Sequence, residues 1–302
     1  MRNVLDFEET EKYGLRKGMV FYFDDLINAE AVSSLEEILD HFLLMTRREF
    51  TQKRGGNDYV SRRTIRGGWR KVFHREFDGK DFMFSQVLTL DNVSPRHLQT
   101  IYASIKLSNY RNPGVNSLCS SLYFQCPLDT DWTDVYPFME DVNRRLNVRY
   151  ASAGYEMAFN ILYYPGSMGY GTRALRNLNY VNSEETEWQR LGASGKMGIP
   201  CPNFIQALCA DWAKKIDAKS PHGICAQTKD GSLFLDILDH SSGRMREPPF
   251  EEAESRFRRL YHLLKPLLVL PERTRYMKKE DWEKRLNRFA EIEIHPEFAE
   301  KP

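Results

Sequence analysis

Ser121-Leu-Tyr-Phe-Gln-Cys-Pro-Leu-Asp129 reads as an apolar strand, and the segment after it reads as a helix near 133–146 carrying Val135, Phe138, Val142 and Leu146. The same order recurs on either side. Met19-Val-Phe-Tyr-Phe-Asp24 precedes a helix near 29–47, and Ser232-Leu-Phe-Leu-Asp-Ile237 precedes, after a loop, a helix near 250–265. Apolar residues in short runs fit strands, and apolar residues three and four apart form one stripe of a helix. Three such units predict an α+β architecture of mixed or antiparallel sheets with packed amphipathic helices. The first two units share the order strand, helix, further strands. The chain therefore reads as one integrated body over 1–302, with two similar strand-helix-strand halves at 14–110 and 111–270 and a charged tail over 271–302.

The remaining segments fill in around these units. Val32, Leu35, Leu39, Phe42 and Leu43 give the first helix one buried stripe, capped by Asn28 or begun by the capping box of Ser33 and Glu36. Trp69, Lys71, Phe73, Arg75 and Phe77 alternate, as do Phe82, Phe84, Leu88 and Leu90, and Asp78-Gly79 lies between them, which predicts a hairpin. Ser94-Pro95 reads as a helix start, while 95–107 fits helix and strand equally; Asn112-Pro113-Gly114 is a turn. Pro137 is tolerable only in the first turn of its helix. Gly154 to Tyr164 reads as a strand, and 165–200, rich in Gly, Ser and Asn, as a long excursion. Asn203 is placed to cap a helix bearing Ile205, Leu208, Cys209, Trp212 and Ile216. Asp230-Gly231 marks a second hairpin. A last long helix with Phe250, Ala253, Phe257, Leu260 and Leu264 ends before Pro266, and a short helix falls near Glu280–Arg288.

Composition is that of an ordinary globular chain, with 41% hydrophobic, 28% charged and 13% aromatic residues in 302. No apolar leader opens the sequence and the aliphatic run Leu263 to Leu270 is too short to span a membrane, so a cytoplasmic location is expected. Five cysteines, Cys119, Cys126, Cys201, Cys209 and Cys225, have no C-x-x-C spacing. Buried reduced thiols are expected, with neither disulfides nor a structural zinc site, and no cofactor or metal. The net charge of +1 hides an asymmetry. Between Arg47 and Arg75 ten basic residues face only Glu49 and Asp58, so the segment carries +8 and the rest of the chain −7. Such a segment is a solvated face, a dock for an acidic partner, or a nucleic-acid contact through Arg62, Arg63 and Arg66.

Asp129-Thr-Asp131-Trp-Thr133 matches the D-x-D-x-T signature of haloacid-dehalogenase-like phosphatases, where the first Asp is a nucleophile and the second a general acid. Capping of the following helix explains the same residues. Gly166-Ser-Met-Gly169-Tyr-Gly171, with Arg173 after it, is neither a P-loop nor G-x-G-x-x-G and reads as a flexible loop sooner than a phosphate cradle. The seven histidines are scattered, and no G-x-S-x-G or H-E-x-x-H appears. Carboxylates cluster at Asp24-Asp25, Asp129 to Asp134, and Glu184-Glu185-Thr-Glu187.

Taken in order, Gly18-Met-Val-Phe-Tyr-Phe-Asp24 with its Leu35–Leu43 helix, Ser121 to Pro127, Gly154-Tyr-Glu-Met-Ala-Phe159, Asn203-Phe-Ile-Gln-Ala-Leu208, Gly231-Ser-Leu-Phe-Leu235 and the Tyr261–Leu268 helix end span 14–290. That series resembles a bacterial family of type VI secretion immunity proteins. The resemblance implies a non-enzymatic protein that binds and neutralises a cognate secreted toxin, and it supplies no catalytic residues. A cytoplasmic antidote implies a toxin acting in the cytoplasm, with a nuclease the leading case. Against a basic nuclease the expected contacts are Asp129, Asp131, Asp134, Glu184, Glu185 and Glu187.

Overall fold

In a computed structural model, the residues described are 13–23, 29–55, 58–78, 85–92, 101–108, 120–159, 181–182, 198–199, 201–217, 223–269 and 279–291. They build one eleven-stranded sheet with helices against it, the expected α+β class. The strands are β1 (Tyr13–Phe23), β2 (Gln52–Gly55), β3 (Asp58–Thr64), β4 (Ser85–Asp91), β5 (Tyr102–Ser108), β6 (Ser120–Cys126), β7 (Val148–Phe159), β8 (Val181–Asn182), β9 (Ile205–Cys209), β10 (Cys225–Lys229) and β11 (Ser232–Asp236). The helices are α1 (Ala29–Thr46), α2 (Trp69–Phe77), α3 (Trp132–Arg145), α4 (Ala210–Ala213), α5 (Phe250–Leu264) and α6 (Lys279–Glu291).

The strand order is β10-β11-β9-β7-β1-β6-β5-β4-β2-β3, antiparallel throughout, with β8 alone added parallel to β7. β1 pairs with β6 on one edge and β7 on the other. The opening strand of the chain thus lies among strands from after residue 111, and β6 lies between β1 and β5. The sheet runs unbroken through both segments that the sequence divides.

Alternation along β1 sends Met19 and Phe21 to one face, where α1 and α3 cover them. Phe21 meets Phe138 edge-on at 6.2 Å, and Phe42 lies 4.7 Å from Phe124 and 5.9 Å from Phe138. Each such ring, fully buried, contributes roughly 2–3 kcal/mol by removal from water. The opposite face is buried as well but polar, with Arg16, Glu156, Gln125, Asn203 and Gln206 all under 9% exposed. At its centre Gly18 and Gly154 are cross-strand partners. A Cβ on Gly18 would stand 1.8 Å from Cγ of Glu156, and one on Gly154 would stand 1.6 Å from Oδ1 of Asn203. The two glycines leave the room that these longer side chains occupy.

Several expected elements appear as read. β1–α1, β6–α3 and β11–α5 are the three strand-to-helix units, α5 ends before Pro266, and α6 covers the predicted short helix. The Asp230-Gly231 hairpin joins β10 to β11, with both residues at positive φ, 48° and 78°, as a type I′ turn requires. Of the ambiguous segment 95–107, residues 102–107 lie in strand β5 and 95–100 lie outside the described residues.

Three expectations are corrected. The strand over 69–77 is helix α2, because Trp69, Phe73 and Phe77 satisfy spacing of four as well as alternation, and buried Val72 completes a helical stripe. The hairpin expected at Asp78-Gly79 therefore loses its first strand. The helix expected after Asn203 is β9, inserted between β7 and β11 and followed by the single turn α4. A strand buried on both faces has no polar alternation, so its apolar residues mimic a helical pattern. Pro137 lies in the second turn of α3, where its missing N–H leaves one intrahelical bond unmade. Asn28, the Ser94-Pro95 start, the Asn112 turn, Phe82 and Phe84 lie outside the described residues.

Candidate interaction surface

β6 is buried along its length and leaves the sheet at Pro127, after which Leu128 and Asp129 are exposed. The turn is held from below. Thr130 N–H donates to Pro127 O at 3.1 Å, and the Asp131 carboxylate caps α3 by accepting the Thr133 N–H at 2.8 Å. That bond holds the Asp131 carboxyl below its usual pKa. Thr133 Oγ1 accepts the Met245 N–H at 3.0 Å. From β1, the buried Lys17 amine donates to Thr130 O at 2.5 Å and lies 4.5 Å above the Trp132 ring. Burial lowers the Lys17 pKa, opposed by the charges of Glu247, Asp131 and Asp129. Trp132 Nε1 donates to Glu247 Oε1 at 2.7 Å, the Tyr155 hydroxyl donates to the same oxygen, and Phe204 stacks on Trp132 at 5.4 Å. Of the D-x-D-x-T residues, Asp131 and Thr133 are thus engaged in holding the backbone of the turn.

Spacing of three and four along α3 places Asp131, Asp134, Pro137, Glu140 and Arg144 on its outward stripe. α1 packs beside this stripe. His41 Nδ1 lies 2.9 Å from Asp141 Oδ2, Arg145 Nε donates to Asp141 Oδ1 at 2.9 Å, and Arg145 also binds Glu37. Between α1, α3 and the β10–β11 turn opens a groove of about 590 Å³ lined by Asp40, His41, Leu44, Pro137, Glu140, Asp141, Arg144, Arg145 and Asp230. Four carboxylates thus face two guanidinium groups. Leu44 on its lip is 77% exposed and Leu128 at the turn is 37% exposed. Among the described residues these are the large hydrophobic side chains left in solvent.

Of the expected contacts, Asp129, Asp131 and Asp134 share this surface, and Glu184, Glu185 and Glu187 lie outside the described residues. The groove itself was not readable, because it depends on His41 and Asp141 meeting across a hundred residues. The basic segment is partly matched by acids. Arg70 binds Asp40 and Glu36, Lys53 lies 3.9 Å from Glu76, and Arg54 lies 4.0 Å from Asp91. Arg63 and Arg66 are exposed. The Gly166–Gly171 loop, Arg173 and Cys119 lie outside the described residues. Cys126 and Cys201 are buried thiols, and Cys209 and Cys225 are partly exposed. Among the described residues, Cys225, Asp236 and His240 bring together a thiol, a carboxylate and an imidazole able to hold a metal, a grouping with no C-x-x-C spacing.

Among the described residues no helix is long and apolar enough to cross a membrane. No family model matches the chain, and no curated protein matches it. Its fold is shared with a solved structure, the Pseudomonas aeruginosa T6SS protein PA0821, with a TM-score of 0.71 over 93% of this chain and 86% of that one, at 13% identity.

Proposed function

We propose that this chain is an immunity protein that binds and neutralises a cognate type VI secretion toxin acting in the cytoplasm, a nuclease being the leading case. The observation that carries the reading is the outward row formed by Leu128, Asp129, Asp131, Asp134 and Pro137, continuous with the Leu44 groove and held on a rigid frame. Enzymes that grip nucleic acid present basic surfaces, and an acidic row complements them. Such complementarity speeds encounter, while exposed apolar side chains seated in a partner's pockets slow dissociation. The shared fold with a protein named for the type VI system supports the same reading.

The test pairs this chain with the toxin-like product of the neighbouring gene. Cells expressing both should survive, and cells expressing the toxin alone should not; death of both would end the immunity reading. In the purified complex, Asp129→Lys with Asp134→Lys should slow association at least about tenfold at low salt, with the difference shrinking as salt rises. Leu44→Asp should act mainly on dissociation. Protection with unchanged binding in both variants would keep the function and remove this surface.

A further inference from the structure

Cys225 opens β10, Asp236 closes β11, and the two are register partners across the hairpin, so their side chains project from the same face. His240 returns to them through a tight turn. Asp236 Oδ1 accepts the Leu238 N–H at 3.0 Å and lies 2.8 Å from His240 Nε2. The turn is fixed from outside by Arg256, which donates to Ile237 O at 2.9 Å and to Leu238 O at 2.8 Å. As a result one sulfur, one carboxylate oxygen and one imidazole nitrogen lie within 4.8 Å of one another. Donors on a tetrahedral zinc ion stand about 3.3–3.8 Å apart, given Zn–S near 2.3 Å and Zn–N or Zn–O near 2.0 Å. Small rotations of Cys225 and His240, both partly exposed, close that difference.

Two buried polar groups border the cluster. Asp236 is 0% exposed, and its Oδ2 accepts no hydrogen bond. The Cys225 thiol lies within interaction reach of this carboxylate. The hydroxyl of Tyr136, from α3, is likewise buried and unpartnered, and it lies within electrostatic reach of Asp236 and Cys225. A buried carboxylate is costly, and a cation beside it would offset that cost. The sulfur has an outer partner already, since Gln227 Nε2 donates to Cys225 Sγ at 3.2 Å, the kind of contact that orients a thiolate ligand.

The geometry points to a divalent transition-metal site formed by Cys225, Asp236 and His240. A donor set of one thiolate, one imidazole and one carboxylate fits Zn²⁺ and excludes Mg²⁺ and Ca²⁺, which take oxygen alone. Three protein ligands leave the fourth tetrahedral position for a water or for a donor from a partner. The inference does not rest on the immunity reading.

The full chain, stripped with chelator, is titrated with Zn²⁺ by calorimetry and with Co²⁺ by absorbance. One ion should bind per chain, and the Co²⁺ form should show a thiolate-to-metal charge-transfer band in the near ultraviolet. Cys225→Ser should abolish that band. His240→Ala, at a partly exposed position whose turn is held independently by Arg256, should weaken Zn²⁺ binding by more than about 100-fold, beyond the effect of losing an outer partner. Binding weaker than about 0.1 mM in the unaltered protein, or a charge-transfer band that survives Cys225→Ser, would overturn the assignment. The unaltered chain alone decides the first point, so the test stands even where a variant misfolds.

Discussion

Replacing Gly154 by Ala tests the polar face of the sheet. In an open strand this change would stabilise by about 0.5–1 kcal/mol, because Ala loses less backbone entropy. Here the new Cβ would stand 1.6 Å from Oδ1, 2.5 Å from Cγ and 2.9 Å from Nδ2 of Asn203. Asn203 is 2% exposed, its Oδ1 accepts the Phe204 N–H at 3.0 Å, and its Nδ2 reaches Ser152 Oγ at 3.5 Å. Displacing it leaves a buried N–H unpaired, at about 1–3 kcal/mol. Forcing a methyl into a filled site adds about 1–3 kcal/mol. The expected loss is thus roughly 2–6 kcal/mol, a large share of a total of about 5–15 kcal/mol. Urea unfolding followed by tryptophan fluorescence measures it. Asn203→Ala alone should lose about 1–3 kcal/mol, since it removes the same bond. In that background Gly154→Ala should cost under about 0.5 kcal/mol, because the obstructing atoms are gone. An unchanged midpoint in Gly154→Ala, or an equal penalty in both backgrounds, would refute the packing argument.

Other perturbations probe the site's frame. Asp131→Ala should cost about 1 kcal/mol at neutral pH through the lost helix cap. Because folding lowers the Asp131 pKa, that difference is present above the unfolded carboxylate pKa of about 3.9 and fades as pH falls through the folded value; a pH-independent difference in thermal unfolding would contradict it. Pro137→Ala restores a helix N–H to the Thr133 carbonyl and should stabilise α3 by about 1–2 kcal/mol, net of the entropy it returns to the unfolded chain; a lowered melting temperature would show that the proline is accommodated some other way. His74 has its pKa raised by Asp78 first, then by Glu36. Its contribution, a few tenths of a kcal/mol at an exposed position, is full below the unfolded value of about 6.5 and lost as pH rises through the folded one. The stability gap between the unaltered protein and His74→Gln should therefore close in mild alkali and shrink in high salt.

The strand-to-helix units were legible because each combines a run too apolar for the surface with a helix of clean spacing. The Asp230-Gly231 hairpin was legible because few residues adopt positive φ twice in succession. The misreadings share one cause. Trp69, Phe73 and Phe77 satisfy two periods at once, and β9 is buried on both faces, so side-chain spacing alone did not separate helix from strand. At the candidate surface, Asp129, Asp131 and Asp134 are neighbours in sequence and can be grouped from it. Leu44 was not: the stripe of Val32, Leu35, Leu39, Phe42 and Leu43 leaves it out, but a place off the stripe does not say which element lies beside it. Cys225, Asp236 and His240 were missed because register across a hairpin, and no motif of paired cysteines, brings them together.

The position of β1 between β6 and β7 bears on how the chain is made. Its neighbours begin at Ser120 and end at Phe159. At about 5–20 residues per second, a ribosome needs roughly seven to twenty-seven seconds after β1 to produce both. Until β6 is made, Gly18-Met-Val-Phe-Tyr-Phe23 has neither of its sheet partners, and α1 can cover only one of its faces. Closing loops of this length makes for slow folding, on the millisecond-to-second scale of non-local β topologies. The nascent chain therefore carries a sticky, unpaired strand while roughly a hundred further residues are made, and chaperone supply should govern its yield more than its final stability does.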